Sequence, residues 1–164
     1  MHPDANRPRM ISEITEALTQ LLGREVRVKP LKADEPTDLC VRYVDGAGDL
    51  VSAWTIQRSL AWSLGGALMM IPRAIVDEAI KSGVDDSDLA ANFLEVVNVL
   101  ATTAANVLSR RSVLESVTSE GDVLMRTVRQ IRAAGGRWSV LEVEIDGYPG
   151  GRIAISLVTE EEES

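Results

Sequence analysis

The stretch from Asp88 to Ser109 reads as one long helix, and it carries its polar residues in a single line. Leu89, Phe93, Val96, Val97, Leu100, Ala104 and Leu108 recur three and four residues apart and form an apolar face. Asn92, Glu95, Asn98, Thr102 and Asn106 keep the same spacing and form a polar stripe. The stripe holds no Lys or Arg. Solvated helix faces favour Glu–Lys pairs and strong helix formers. Asn and Thr are poor choices for helix stability. The stripe is therefore either the wet side of an amphipathic helix or a surface presented to a partner. Periodicity alone favours the first.

The rest of the chain supplies the second layer that such a helix needs. Met10 to Leu22 has helical apolar spacing, with Ser12 and Glu13 suited to its start and Gly23 to its end. Glu25 to Leu31, Leu39 to Val44 and Leu50 to Ile56 read as strands, with a loop over Ala33 to Thr37 and a turn at Asp45-Gly46-Ala47-Gly48. Leu60 begins a continuously apolar run, expected to be a strand covered on both faces, with Gly65-Gly66 allowing close approach or marking a break. Pro72 opens a short helix over Arg73 to Lys81, which Gly83 ends. Asp85, Asp86, Ser87 and Asp88 are N-cap candidates for the long helix. Beyond it, Ser112 to Val117 and Val123 to Gln130 are expected to pair as strands, followed by Arg137 to Ile145 and Arg152 to Val158. Antiparallel hairpins dominate and the helices are grouped. That predicts an α+β domain, a mainly antiparallel sheet with helices packed on one face. Residues 1–9 are expected to be a flexible N-terminus, 10–158 a single domain, and 159–164 an acidic, solvated tail.

Composition removes several functions. Formal net charge is −8, which argues against a nucleic-acid partner. The one cysteine, Cys40, lies in a strand-like segment and is read as a buried structural thiol in a reducing compartment. The one histidine is His2, so Ser-His-Asp and Cys-His catalysis and histidine-based zinc sites are excluded. No metal site is expected. Gly65-Gly66 lacks the spacing of a phosphate loop. The longest apolar run, Leu60 to Pro72, is too short and interrupted for a membrane span. The expectation is a cytoplasmic protein that does not engage a membrane. Trp54, Trp62 and Trp138 sit in apolar segments, where core packing accounts for them better than a ligand pocket.

Gly66-Ala67-Leu68-Met69-Met70-Ile71-Pro72, then a short helix, then a long helix with Glu95-x-x-Asn98, resembles the CheC/CheX family of bacterial chemotaxis phosphatases. The resemblance runs from Met10 to Val158. The motif occurs once, which is similar to the single-motif CheX form, and this implies a homodimer. It implies a CheC/CheX-like fold and hydrolysis of the aspartyl phosphate on a CheY-like response regulator. It also implies Glu95 and Asn98 as catalytic residues, with Asn92 and Thr102 flanking the partner contact. The chain would have no cofactor of its own, and Mg2+ would come with the regulator. The family pattern has Asp four residues before the Glu, where this chain has Ala91. It also has a proline downstream of the Asn, and none lies between Pro72 and Pro149 here. Ala91 favours the competing reading, a non-catalytic domain of the same fold that binds a response regulator, a flagellar switch component or a receptor complex.

Overall fold

The structure, a computed structural model, describes residues 7–83 and 86–157. The expected acidic tail, most of the expected flexible N-terminus and the cap candidate Asp85 lie outside those residues. In chain order the elements are α1 (Arg7–Leu22), β1 (Val26–Pro30), β2 (Leu39–Val44), β3 (Leu50–Ile56), α2 (Arg58–Leu68), α3 (Arg73–Ser82), α4 (Ser87–Leu108), β4 (Val113–Thr118), α5 (Gly121–Ala133), β5 (Arg137–Ile145) and β6 (Tyr148–Leu157). The strands form one sheet in the order β1-β5-β6-β3-β2-β4, antiparallel throughout.

The expected α+β architecture is present. Helices α1, α4 and α2 form a layer on one face of the sheet, and α3 packs on α2. Met10, Ile14, Leu18 and Leu22 form the buried face of α1, at the spacing that defines a helix. Gly23 ends it at φ +64°, where a side chain would be strained. Helix α1 starts at Arg7, three residues earlier than its apolar pattern suggests. The principal core lies between this layer and the sheet. Trp54, Tyr43, Phe93, Ile14 and Leu100 are fully buried in it, with Tyr43 and Trp54 meeting edge to face at 5.2 Å.

Two expected strands are helices. The run from Leu60 is helix α2, and every residue from Leu60 to Ala67 is buried. A helix enclosed on all sides has no polar face, so its sequence loses the helical period and reads like a covered strand. The second is Val123 to Gln130, which lies within helix α5. Its buried residues are Leu124, Thr127 and Ile131, a helical spacing hidden among β-branched neighbours. Arg126 and Arg129 are exposed on this helix.

Helix α5 lies on the reverse face of the sheet. Successive strand residues point to opposite faces. On β2, Tyr43 reaches α4 while Arg42 reaches Thr127 and Gln130 of α5. Beneath α5 a small second cluster forms from Leu50, Ala53 and Ile131, with Trp138 packed against it. Cys40 also lies on this side and is fully buried. Burial pushes its thiol up, partly countered by Thr127 and the Arg42 charge. That is the inert thiol expected of a packing residue.

Candidate functional site

Helix α4 is held at both ends and along its inner side. Asp86 caps its start, its Oδ1 accepting from the backbone N–H groups of Asp88 and Leu89 at 3.0 Å each. At the other end Ser109 turns left-handed, and the Arg110 N–H returns to the Ala105 carbonyl. The Arg110 guanidinium then pairs with Asp45 at 2.7 Å, tying the helix end to the turn between β2 and β3. The backbone N–H of Asp49 and the Arg110 side chain hold the Asp45 carboxyl below its usual value.

Midway, the buried Tyr43 hydroxyl donates to the Val97 carbonyl at 2.7 Å. Burial raises the pKa of this phenol well above its ordinary range, so it stays a neutral donor. Gly65 of α2 lets the two helices touch. A Cβ there would stand 2.5 Å from the Leu89 carbonyl oxygen. Close approach is thus the role of Gly65. Leu89, Phe93, Val96, Val97, Leu100, Ala104 and Val107 fill the buried side of α4. By length and apolarity α4 is the one described helix that meets the criterion for crossing a membrane, yet this side of it is packed inside the fold.

The outward side carries the polar stripe. Glu95, Asn98, Thr102 and Asn106 are exposed. No hydrogen bond or ion pair among the described residues engages the side chains of Glu95, Asn98 or Thr102. Glu95 and Asn98 are three residues apart, so they emerge from one face with about 4.5 Å of rise between them. Asn92 differs from the other three. It is half-buried, and its Nδ2 donates to the Gly65 carbonyl at 3.2 Å, bracing α4 against α2. Ala91 is exposed on the same side. Two exposed apolar residues also border the stripe: Leu94 and Val99, 42% and 40% exposed.

The arrangement presents one carboxylate and one carboxamide on a rigid support. Among the described residues, no three His, Cys, Asp or Glu side chains are grouped to hold a metal ion. A cavity of about 350 Å³ is lined by Asp34 to Asp38, Gln57 and Arg152, away from α4. Its polar groups have structural work. Asp38 accepts from the Arg58 N–H at the start of α2, Gln57 accepts from the Arg152 N–H, and Glu35 pairs with Arg132. The tryptophans do not line it: Trp54 and Trp62 belong to the principal core and Trp138 to the cluster under α5.

No protein-family model and no curated protein matches the chain. Solved structures do. The FliM middle domain from H. pylori is 13% identical, with 94% of this chain and 88% of that one covered and a TM-score of 0.66. FliM in the FliG–FliM complex from H. pylori is 14% identical, with 94% and 89% covered and a TM-score of 0.63. The CheX–CheY–BeF3–Mg2+ complex from Borrelia burgdorferi matches at 16% identity, 94% and 97% coverage and a TM-score of 0.48. At these identities the FliM matches show the fold alone. The CheC/CheX resemblance read from the sequence is met at that level, in a fold shared with FliM middle domains.

Proposed function

We propose that this chain is a CheX-like phosphatase that hydrolyses the aspartyl phosphate of a CheY-like response regulator in the cytoplasm. One observation carries the reading. Glu95 and Asn98 stand exposed and unengaged on one face of a helix whose other face is capped, braced and fully packed. A solvated face has no need of an Asn at that position, whereas a site that must place a water does.

Phosphoryl transfer asks for an in-line nucleophile and neutralised oxygens rather than covalent help. The Asn98 carboxamide both donates and accepts, so it can hold a water in the line of attack. Glu95 pairs with a basic side chain of the regulator and fixes the register of the complex. The regulator's own carboxylates hold Mg2+, which neutralises the phosphoryl oxygens. Neither Glu95 nor Asn98 has to move a proton, which suits a chain whose only histidine is His2. Thr102 flanks the contact one turn on from Asn98. Asn92 supports it from behind through Gly65. The homodimer implied by the CheX resemblance belongs to the same proposal.

Asn98→Ala is expected to lower the rate of regulator dephosphorylation on the order of 10²-fold with the fold intact, as loss of one positioning group does. An Asn98→Ala protein with undiminished activity would sink the mechanism. A second reading has support of its own. FliM of the same fold is seen in a complex with FliG, and Ala91 departs from the phosphatase pattern. In that reading the domain binds a regulator or a flagellar switch component without hydrolysis.

A further inference from the structure

Glu95 is the only charged residue between Asp88 and Arg110. At 3.6 residues per turn, Asn98 and Glu95 project about 60° apart, with Ala91 and Thr102 between them. Leu94 projects about 40° beyond Asn98, and Val99 about 40° beyond Glu95. Both are large apolar side chains left 42% and 40% exposed. The exposed surface of α4 is thus a strip with one anion, Glu95, and three amide or hydroxyl groups, those of Asn98, Thr102 and Asn106, bounded by an apolar residue on each side.

Single exposed apolar residues are ordinary, but this pair is placed about the stripe. Val is a modest helix former, and neither side chain is needed by the core, which the opposite face of α4 fills. The charge pattern selects the occupant. A second copy packed on the strip through a two-fold axis would bring no cation to Glu95, because the strip has none. An acidic lipid surface would repel it. A protein surface with one cation set among apolar side chains matches it, with the cation opposite Glu95.

We propose that Leu94 and Val99 are the docking contacts that set affinity and partner choice. Their partner is a regulator domain that presents one basic side chain, ringed by apolar residues, beside its phosphorylated carboxylate. This rests on the reading of Glu95 and Asn98 given above. The two contacts exclude water from the contact around Glu95, which strengthens its pairing with the cation.

The test is the dissociation constant for CheY-type regulators loaded with Mg2+ and beryllofluoride, measured with wild type, Leu94→Ser, Val99→Ser, the double variant and Gln20→Ser. Gln20 is exposed on α1, and its variant serves as the control. Each strip variant is expected to weaken binding on the order of five-fold and the double on the order of thirty-fold, while Gln20→Ser binds as wild type. A double variant that binds like wild type overturns the inference, and leaves the phosphatase reading standing if Asn98→Ala still loses activity. Weakened binding by the double variant, with no dephosphorylation by wild type, supports the docking strip and removes the phosphatase. No binding of any regulator overturns both. Self-association of wild type that the double variant abolishes would make the occupant a second copy, and overturns the proposal.

Discussion

The two faces of the sheet are built differently. The principal face holds Trp54, Tyr43, Phe93, Ile14 and Leu100 in one continuous core under α1, α4 and α2. The reverse face carries α5 over Cys40, Ala53, Thr55, Ala154 and Ser156, with only Leu50 and Ile131 as large aliphatic side chains buried in its cluster. Thr55 and Ser156 are buried there, and their hydroxyls have no partner among the described residues. Large complementary side chains fix the position of what they support. Small and unsatisfied ones do so poorly. The helix with Glu95 and Asn98 lies on the first kind of support, as a positioning site requires.

That contrast can be broken by truncation on each side. Trp54→Ala is expected to cost about 3–5 kcal/mol in denaturant unfolding, and Ile131→Ala about 2 kcal/mol. Equal costs would mean that α5 is as firmly packed as α4. Next in size is Gly65→Ala. Its new Cβ meets the Leu89 carbonyl oxygen, so α2 and α4 must separate. A loss of about 2–3 kcal/mol is expected, and thermal unfolding that matches wild type would remove the close contact from the account.

Thr55→Val sharpens the comparison because its sign differs. Replacing an unpartnered buried hydroxyl with a methyl is expected to leave stability unchanged or raise it by up to about 1 kcal/mol. A clear loss in the unfolding midpoint would show that the hydroxyl is satisfied. The smallest effect concerns acid. The Asp45 carboxyl is held low by the Asp49 N–H and Arg110. Its stabilising contribution is complete above the unfolded aspartate value of about 3.9 and is lost as pH falls through the lower folded value. Asp45→Asn is expected to flatten the decline of stability on the acid side, read from unfolding midpoints at a series of pH values.

Much of this was legible in the sequence. Strands β2 and β3 have the bounds that their patterns indicate, and β5 likewise, because turn residues punctuate them. Helix α4 was legible because Glu95 and Asn98 stand out against an apolar run. Helix α2 was not, since enclosure removed the polar face that reveals a helix. Helix α5 was not, because Val123, Thr127 and Val128 favour strand and its true period rests on only three buried positions. Leu94 and Val99 belong neither to the apolar face nor to the polar stripe that the spacing defines. Their projection angles, outside the arc of Phe93, Val96 and Leu100, would have identified them. The bracing of Asn92 on Gly65 could not be read, since it depends on how closely two helices approach.

The decisive measurement is the decay of phosphate from a phosphorylated, Mg2+-loaded CheY-type regulator with wild type and with the Glu95→Ala, Asn98→Ala double variant. Acceleration by wild type that the double variant loses is the predicted result. No acceleration across several regulators from the same genome, or equal acceleration by the double variant, would contradict the site on α4.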